Sequence, residues 1–264
     1  MDISRIHNKL LPVLENAKKI ALDKFGKSNK IHIKQDVASQ AAIVTEVDKE
    51  LDSLFRKELA YTFPGTGFIT EENSNKEIKE YNWIIDPIDG TTNYSRNFPL
   101  FGISVALWRK NEPVYGCLVL PSLGKIMYGW KEGGVFVNDK KIERDMSLSP
   151  KPFVFLAPVA KPEEHGEVTR IIGDIISAPR DFGCSVYQSF EAIMGNADLA
   201  VNYKLSLWDI GASILLAKES GLAISFISPE PNIYSKEDYS HTVVFGRPDL
   251  VQKITKELRT CINA

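Results

Sequence analysis

Cysteine is scarce. Cys117, Cys184 and Cys261 are odd in number and widely spaced, which excludes a disulfide framework and any CxxC metal ribbon and fits a reducing compartment. The four histidines, His7, His32, His165 and His241, stand apart from one another. No HExxH or other zinc spacing exists among them, so they read as ordinary surface or core residues. No apolar run approaches the roughly 18 residues that a membrane helix needs. The opening Met1-Asp2-Ile3-Ser4-Arg5 leads into a mixed stretch rather than a signal-peptide core, so the cytoplasm is the expected location and no membrane partner is expected. A surplus of either charge is also missing. Lys and Arg total 32 against 34 Asp and Glu, a formal net of −2, and no aromatic-basic stripe compensates, which argues against a nucleic-acid-binding module.

What is present is a chain of 264 residues, 44% hydrophobic and 25% charged. At that length about three quarters of the unfolded surface can be buried without a disulfide or metal staple, in one large domain or two packed halves. Ile3, Ile6, Leu10, Val13, Leu14, Ala17, Ala21 and Phe25 recur at helical spacing up to Gly26, with a kink expected at Pro12. A second helix is predicted from Thr45, with Val47, Leu51, Leu54, Phe55 and Leu59 on one face and Pro64-Gly65 as its stop. Strand texture follows in Trp83-Ile84-Ile85, Gly102–Trp108 and Val114–Leu120, and hairpin chemistry at Lys131–Asp139. After a polar stretch at Glu143–Pro152, strand-like runs (Phe153–Ala157, Ala223–Ile227, Thr242–Phe245) alternate with helical ones (Glu163–Ile176, Ser189–Gly195, Trp208–Ser220, Pro248–Cys261). This pattern predicts an α+β half, residues 1–145, packed on an α/β half, residues 146–264.

The strongest local signal is Trp83-Ile84-Ile85-Asp86-Pro87-Ile88-Asp89-Gly90-Thr91-Thr92-Asn93. A buried strand delivers two carboxylates three residues apart into a tight turn, with hydroxyls and an amide behind it that suit an anion. The two carboxylates have no Lys or Arg close by before Arg96. A hard divalent cation relieves their repulsion, and all-oxygen ligands near phosphate favour Mg²⁺. The plainer alternative is an Asp-Pro turn followed by an Asp-Gly turn. Three further acidic segments each admit a structural explanation. Glu71-Glu72 fits a solvated loop. Thr45-Glu46-Val47-Asp48 and Ser206-Leu207-Trp208-Asp209 each fit a capping box. Neither box excludes function, because a carboxylate at a helix N-terminus is held rigidly and stays ionised.

Taken together, these segments resemble the inositol monophosphatase family of Mg²⁺-dependent, Li⁺-sensitive phosphatases, in order and spacing over essentially the whole chain. Asp86-Pro-Ile-Asp-Gly-Thr-Thr-Asn93 is similar to the family's central motif. Glu71-Glu72 is similar to its upstream acidic pair, with Thr70 where Gly is usual. Trp208-Asp209-Ile-Gly-Ala, followed by Lys218-Glu219-Ser220-Gly221, is similar to its C-terminal motif and turn. The resemblance implies a layered α-β-α-β-α sandwich (α+β and α/β halves) and commonly a homodimer. It implies two or three Mg²⁺ held by Glu71, Asp86, Asp89, Asp209 and the Ile88 carbonyl. Glu71 and Thr91 would orient and deprotonate the attacking water, with Asp48 behind Thr91, and Gly90 and Thr91 would hold the phosphate. Gly183-Cys184-Ser185 would touch the substrate's hydroxyl ring. Lys34 is a weaker candidate for a family lysine near the third metal, because the loop to Asp48 is longer here.

The resemblance implies hydrolysis of a small polyol or sugar phosphate. Fructose 1,6-bisphosphate, histidinol phosphate and 3′-phosphoadenosine nucleotides compete with inositol phosphate as substrates. The alternative of another class, a regulatory metal- or phosphate-binding protein without catalysis, is disfavoured because every expected acidic ligand is present. Asn202 stands where animal family members carry a substrate-contacting Glu. With Tyr203 as an aromatic face and Lys204 as a cation at the substrate mouth, weak discrimination among small phosphate monoesters is expected.

Overall fold

Alternate residues of the strands sort into different apolar clusters, and this parity generates the layers. In the computed structural model, which describes residues 2–27, 31–33, 43–72, 78–143, 152–156, 162–173, 178–235 and 240–262, one sheet has seven strands in sequential order. These are β3 (Gly67–Thr70), β4 (Tyr81–Asp89), β5 (Gly102–Arg109), β6 (Glu112–Leu120), β7 (Lys125–Trp130), β8 (Gly134–Val137) and β9 (Lys140–Lys141). All neighbours are antiparallel except β3 and β4. Trp83, Ile85, Val105, Leu107, Tyr115 and Cys117 face a cluster with helices α1 (Ile6–Lys24) and α2 (Glu46–Thr62). Ile84, Ala106, Trp108 and Leu118 face the opposite cluster, with helices α5 (Ser185–Met194) and α6 (Leu207–Glu219). Period-2 alternation with both faces covered is the physical signature of a sheet buried between helical layers.

The second sheet has five strands in the order β11-β10-β12-β14-β13: β10 (Phe153–Leu156), β11 (Ala178–Arg180), β12 (Leu199–Leu205), β13 (Ala223–Phe226) and β14 (His241–Gly246). Its inner face, Phe155, Ala200, Val243 and Phe245, completes the cluster around α5 and α6. Its outer face, Val154, Leu199, Val201 and Val244, packs against α4 (Pro162–Gly173) and α7 (Pro248–Ile262). The order of layers is therefore α1/α2, sheet, α5/α6, sheet, α4/α7, the expected sandwich. A ribbon of β1 (Ile31–Ile33) and β2 (Ile43–Thr45) leads into α2. Among the described residues, no helix is long and apolar enough to cross a membrane.

Three sequence expectations are corrected. The first helix runs unbroken through Pro12. Pro12 and Asn8, whose carbonyl lacks its helical partner, are both exposed, so water can satisfy that oxygen. The helix predicted from Ser189 begins at Ser185. β12 was not anticipated, because Leu199–Leu205 mixes apolar and polar residues in a run too short to declare its type. The polar stretch at 144–151, where the sequence puts the seam between halves, lies outside the described residues, as does Lys34.

α2 shows why the second helix is firmly seated. Val47, Leu51, Phe55 and Leu59 are all fully buried, each contributing roughly 1.5–3 kcal/mol. Thr45 caps its N-terminus by accepting from the Val47 N–H at 3.2 Å. α1 buries an apolar stripe in the same cluster and is pinned by a polar contact as well. His7 Nδ1 and Tyr115 Oη share a hydrogen bond of 2.8 Å, and the imidazole stacks on Tyr128. Burial lowers the His7 pKa from 6.5 to about 4, against an opposing pull from Asp139. The unfolded chain therefore takes up a proton that the folded chain refuses. This contribution to stability is complete above pH 6.5 and is lost as pH falls toward 4. His7→Gln should flatten the fall of the denaturation midpoint across that interval, and parallel pH profiles for the two proteins would contradict the assignment.

Candidate active site

Asp86 and Asp89 are three residues apart, which in a regular strand would put them on opposite faces. A bulge prevents this. Asp86 pairs with Ser104 and Asp89 with Gly102, so β4 carries one more residue than β5 over the interval and the register shifts. The result is that Ile85 and Ile88 both join the cluster under α1 and α2, while Asp86 and Asp89 share the other side with Asp209. The Ile88 N–H donates to Asp86 Oδ1 at 3.1 Å and fixes the bend. Gly90 then turns in the left-handed region at φ 80° and caps the short helix α3 (Thr91–Ser95).

Asp209 arrives from α6. It is the fourth residue of the box Ser206–Asp209 and accepts the Ser206 N–H at 2.8 Å. Asp86, Asp89 and Asp209 each offer an oxygen, and these oxygens lie within 4.8 Å of one another. Among the described residues, none of the three forms an ion pair. Burial, then the charges of Glu71, Asp89 and Asp209, push Asp86 well above the usual carboxylate range. Asp209 is raised likewise by burial, Asp89 and Glu71. Three convergent oxygen donors without a cationic side chain fit a hard divalent cation, whose charge would restore their ionised form.

Asp48 stands on the other side of Thr91. It accepts from the Thr45 backbone N–H at 2.8 Å and from the Thr45 hydroxyl, completing the expected capping box. Thr91 Oγ1 lies 3.2 Å from Asp48 Oδ1 and 2.9 Å from the Ile88 carbonyl. One hydroxyl proton can serve only one of these acceptors at a time, and the Thr91 oxygen keeps lone pairs for a further donor. Burial raises the Asp48 pKa to about 7, against the Thr45 hydrogen bonds that lower it, with Glu71 and Glu72 adding to the rise. Glu71 follows β3 in a turn, half-buried, close enough for its charge to act on Asp48, Asp86 and Asp209. The unusual Thr70 before it is buried and accepts from Arg56 Nη2 at 2.7 Å, which ties β3 to α2.

Asp89 is held from the second sheet's side. Cys184 Sγ and the Val186 N–H donate to Asp89 Oδ2 at 2.9 and 2.6 Å. Burial keeps the Cys184 thiol well above its ordinary pKa, so it stays a donor. Gly183-Cys184-Ser185 thus lies against the central motif, and a Cβ on Gly90 would sit 3.1 Å from Cys184 Cβ. Asn93 adds the link, donating to the Leu100 and Phe182 carbonyls at 2.8 and 2.6 Å. The Val186 amide and this bridging by Asn93 were not anticipated. A backbone amide leaves no residue-type signal, although the asparagine itself ends the quoted motif.

Asn202 is buried on β12, with neither side-chain polar atom hydrogen-bonded among the described residues. Parity puts it on the inner face, since Val201 and Tyr203 join the outer cluster. Tyr203 is therefore a core residue beneath α4 and α7, not an aromatic face at the substrate mouth. The Lys204 ammonium lies over the Tyr203 ring, 5.4 Å from its centroid. Glu219 of the C-terminal turn accepts the Glu132 and Gly134 amides, a structural clasp on the β7–β8 hairpin.

A five-layer sandwich with a carboxylate cluster at the seam between its sheets defines a scaffold for metal-assisted chemistry on small anions. The chain belongs to the inositol monophosphatase family, a family of phosphatases, whose sequence profile matches residues 4–262. It is 30% identical over 227 residues to an inositol monophosphatase of Dictyostelium discoideum, covering 82% of each chain. It is also 30% identical over 205 residues to a fructose-1,6-bisphosphatase/inositol-1-monophosphatase of Aquifex aeolicus, covering 75% of this chain and 77% of the relative. The Thermotoga maritima IMPase shares the fold with a TM-score of 0.83 at 23% identity, over 96% of both chains.

Gly102 is what allows α5 to reach Asp89. A Cβ there would lie 2.4 Å from Val186 Cγ1 and 3.2 Å from the Val119 carbonyl. Gly102→Ala should destabilise by about 1–3 kcal/mol and lower turnover more than substrate affinity, because the Val186 amide is pushed off Asp89. A variant with native melting and native kcat would show that this approach is not required.

Proposed function

We propose that the protein hydrolyses small phosphate monoesters of the polyol or sugar phosphate class with Mg²⁺ as cofactor. The observation that carries this reading is the convergence of Asp86, Asp89 and Asp209 oxygens within 4.8 Å, beside a Thr91 hydroxyl backed by Asp48. Glu71, Asp86, Asp89 and Asp209, with the Ile88 carbonyl, are assigned to hold two or three ions, drawing on both halves, 1–145 and 146–264. Bound Mg²⁺ would supply Lewis acidity toward the phosphoryl oxygens, a more acidic water and neutralisation of the leaving alkoxide.

The chain's own groups take the remaining work. Thr91 Oγ1 accepts a hydrogen bond from the attacking water and aligns it, while Glu71 is the assigned proton acceptor. Asp48, with a pKa of about 7, can hold or release a proton behind Thr91 near neutral pH. The first-turn amides after Gly90 have no intrahelical partners and receive a phosphate oxygen. Gly183, Cys184 and Ser185 and the inner-face Asn202 are assigned to the substrate's hydroxyl side, while Cys184 also keeps Asp89 in place.

Mg²⁺ should activate, Mn²⁺ should substitute, and excess Ca²⁺ should inhibit through its looser shell. Asp89→Asn should lower kcat at least about a hundredfold, some 2.7 kcal/mol, with melting in chelator unchanged or raised, since a repelled charge is removed. Full activity in chelator, or undiminished turnover in the variant, would overturn the metal reading, whereas metal binding with no phosphate release from any of these esters would favour a regulatory binding protein.

Substrate choice is the finer proposal. An uncharged Asn202 contacts a hydroxyl more weakly than a carboxylate would, and one relative carries two substrate names. The kcat/KM for inositol 1-phosphate should lie within about a hundredfold of those for fructose 1,6-bisphosphate, histidinol phosphate and an adenosine bisphosphate. A larger preference for inositol 1-phosphate would refute this role of Asn202.

A further inference from the structure

The outer helical layer holds a second feature that the phosphatase reading does not use. α7 buries Leu250, Val251, Ile254 and Leu258 against the second sheet, and its other side borders a cavity of about 640 Å³ next to the edge strand β13. That volume is within the range of small-molecule sites, roughly 300–1,000 Å³. Ser225 of β13 and Lys253, Thr255, Lys256 and Arg259 of α7 line it. Among the described residues, none of the three cations forms an ion pair. The acid on the lining, Asp249, is already engaged by Arg247 through two hydrogen bonds of 3.0 and 2.6 Å. It therefore does little to neutralise the three.

One detail distinguishes this pocket from a solvated helix face. Arg259 is not swinging freely: its Nη2 donates to the Phe226 carbonyl at 2.8 Å, which fixes the guanidinium beside the strand with most of its five donors unspent.

We infer that this cavity is a second binding site, for a small molecule carrying two or more phosphate-type groups. The charge count requires more than one anionic group. Lys253, Lys256 and Arg259 follow one another at three-residue intervals, about 4.5 Å of helix rise per step, so a diphosphate can contact neighbouring cations together. The site lies on the outer face of the second sheet, whereas Asp209 belongs to α6 on the inner face. Its ligand would not compete with substrate for the carboxylate cleft.

The test uses the full chain in chelator, titrated calorimetrically with ADP, inorganic pyrophosphate and inorganic phosphate. ADP and pyrophosphate should bind once per chain, at least tenfold more tightly than phosphate, and equally well to Asp89→Asn. The double variant K256E/R259Q, at exposed positions, should weaken both at least tenfold. Four outcomes would overturn the inference: no binding at millimolar ADP or pyrophosphate, loss of binding in Asp89→Asn, indifference to K256E/R259Q, or tighter and equally charge-dependent binding of an RNA oligonucleotide.

Discussion

Asp86, Asp89 and Asp209 hold oxygens within 4.8 Å of one another, Asp86 buried and the other two half-buried. At an effective dielectric near 20, two such charges about 4 Å apart repel by roughly 4 kcal/mol, and three cannot all remain ionised unaided. Protons or a cation must intervene: burial raises all three carboxyl pKa values, and at Asp86 and Asp209 the neighbouring carboxylates add to the rise. Every element around the cluster opposes its dispersal. The β4 bulge puts two carboxylates on one side, the α6 cap fixes the third, and the Cys184 thiol and Val186 amide hold Asp89 from the facing layer. Those contacts require α5 to lie close against β5, which is why Gly102 has no room for a side chain.

The two capping boxes show that a structural and a chemical explanation of one residue need not compete. Asp48 and Asp209 each satisfy the N-cap amide of their helix, and that bond points one oxygen inward and leaves the other for the cleft. A cap is a rigid mount. It costs no extra ordering of the side chain when a ligand arrives, because the helix has already ordered it. The same economy operates at Thr91, where one hydroxyl sits between Asp48 and the Ile88 carbonyl.

Legibility from sequence followed the range of the interactions. Two capped helices, α2 with a clear apolar stripe and α6 apolar nearly all round, could be placed closely from residue pattern alone. So could the carboxylates of the central motif, because residue type and spacing carry their chemistry. The side of the sheet they occupy could not, since the bulge depends on pairing with Ser104 and Gly102 on the next strand. β12 escaped for a related reason: its alternating faces became apolar contacts only once α4 and α7 covered one side and α5 and α6 the other. Tyr203 was misassigned by neighbourhood in sequence, where a strand sends adjacent residues to opposite faces. The Val186 amide was invisible because any residue could supply it.

The assigned metal ligands and the assigned substrate contacts are built differently, and this bears on how one scaffold serves several phosphate esters. The carboxylates sit on a strand end, a helix cap and a bulge, all locked by backbone hydrogen bonds that a substrate does not need to disturb. The other side rests on the loop before α5 and on β12, where the register shifts between Asn202 and Leu205 and Lys204 takes a positive φ of 51°. An irregular strand end can change its side chains, or its reach, without altering the α6 cap that begins at Ser206. Under the proposed assignment, chemistry at the phosphorus would be insulated from changes at the alcohol. A scaffold with that separation can alter which ester it accepts by substitution at a few positions while its carboxylate geometry stays fixed.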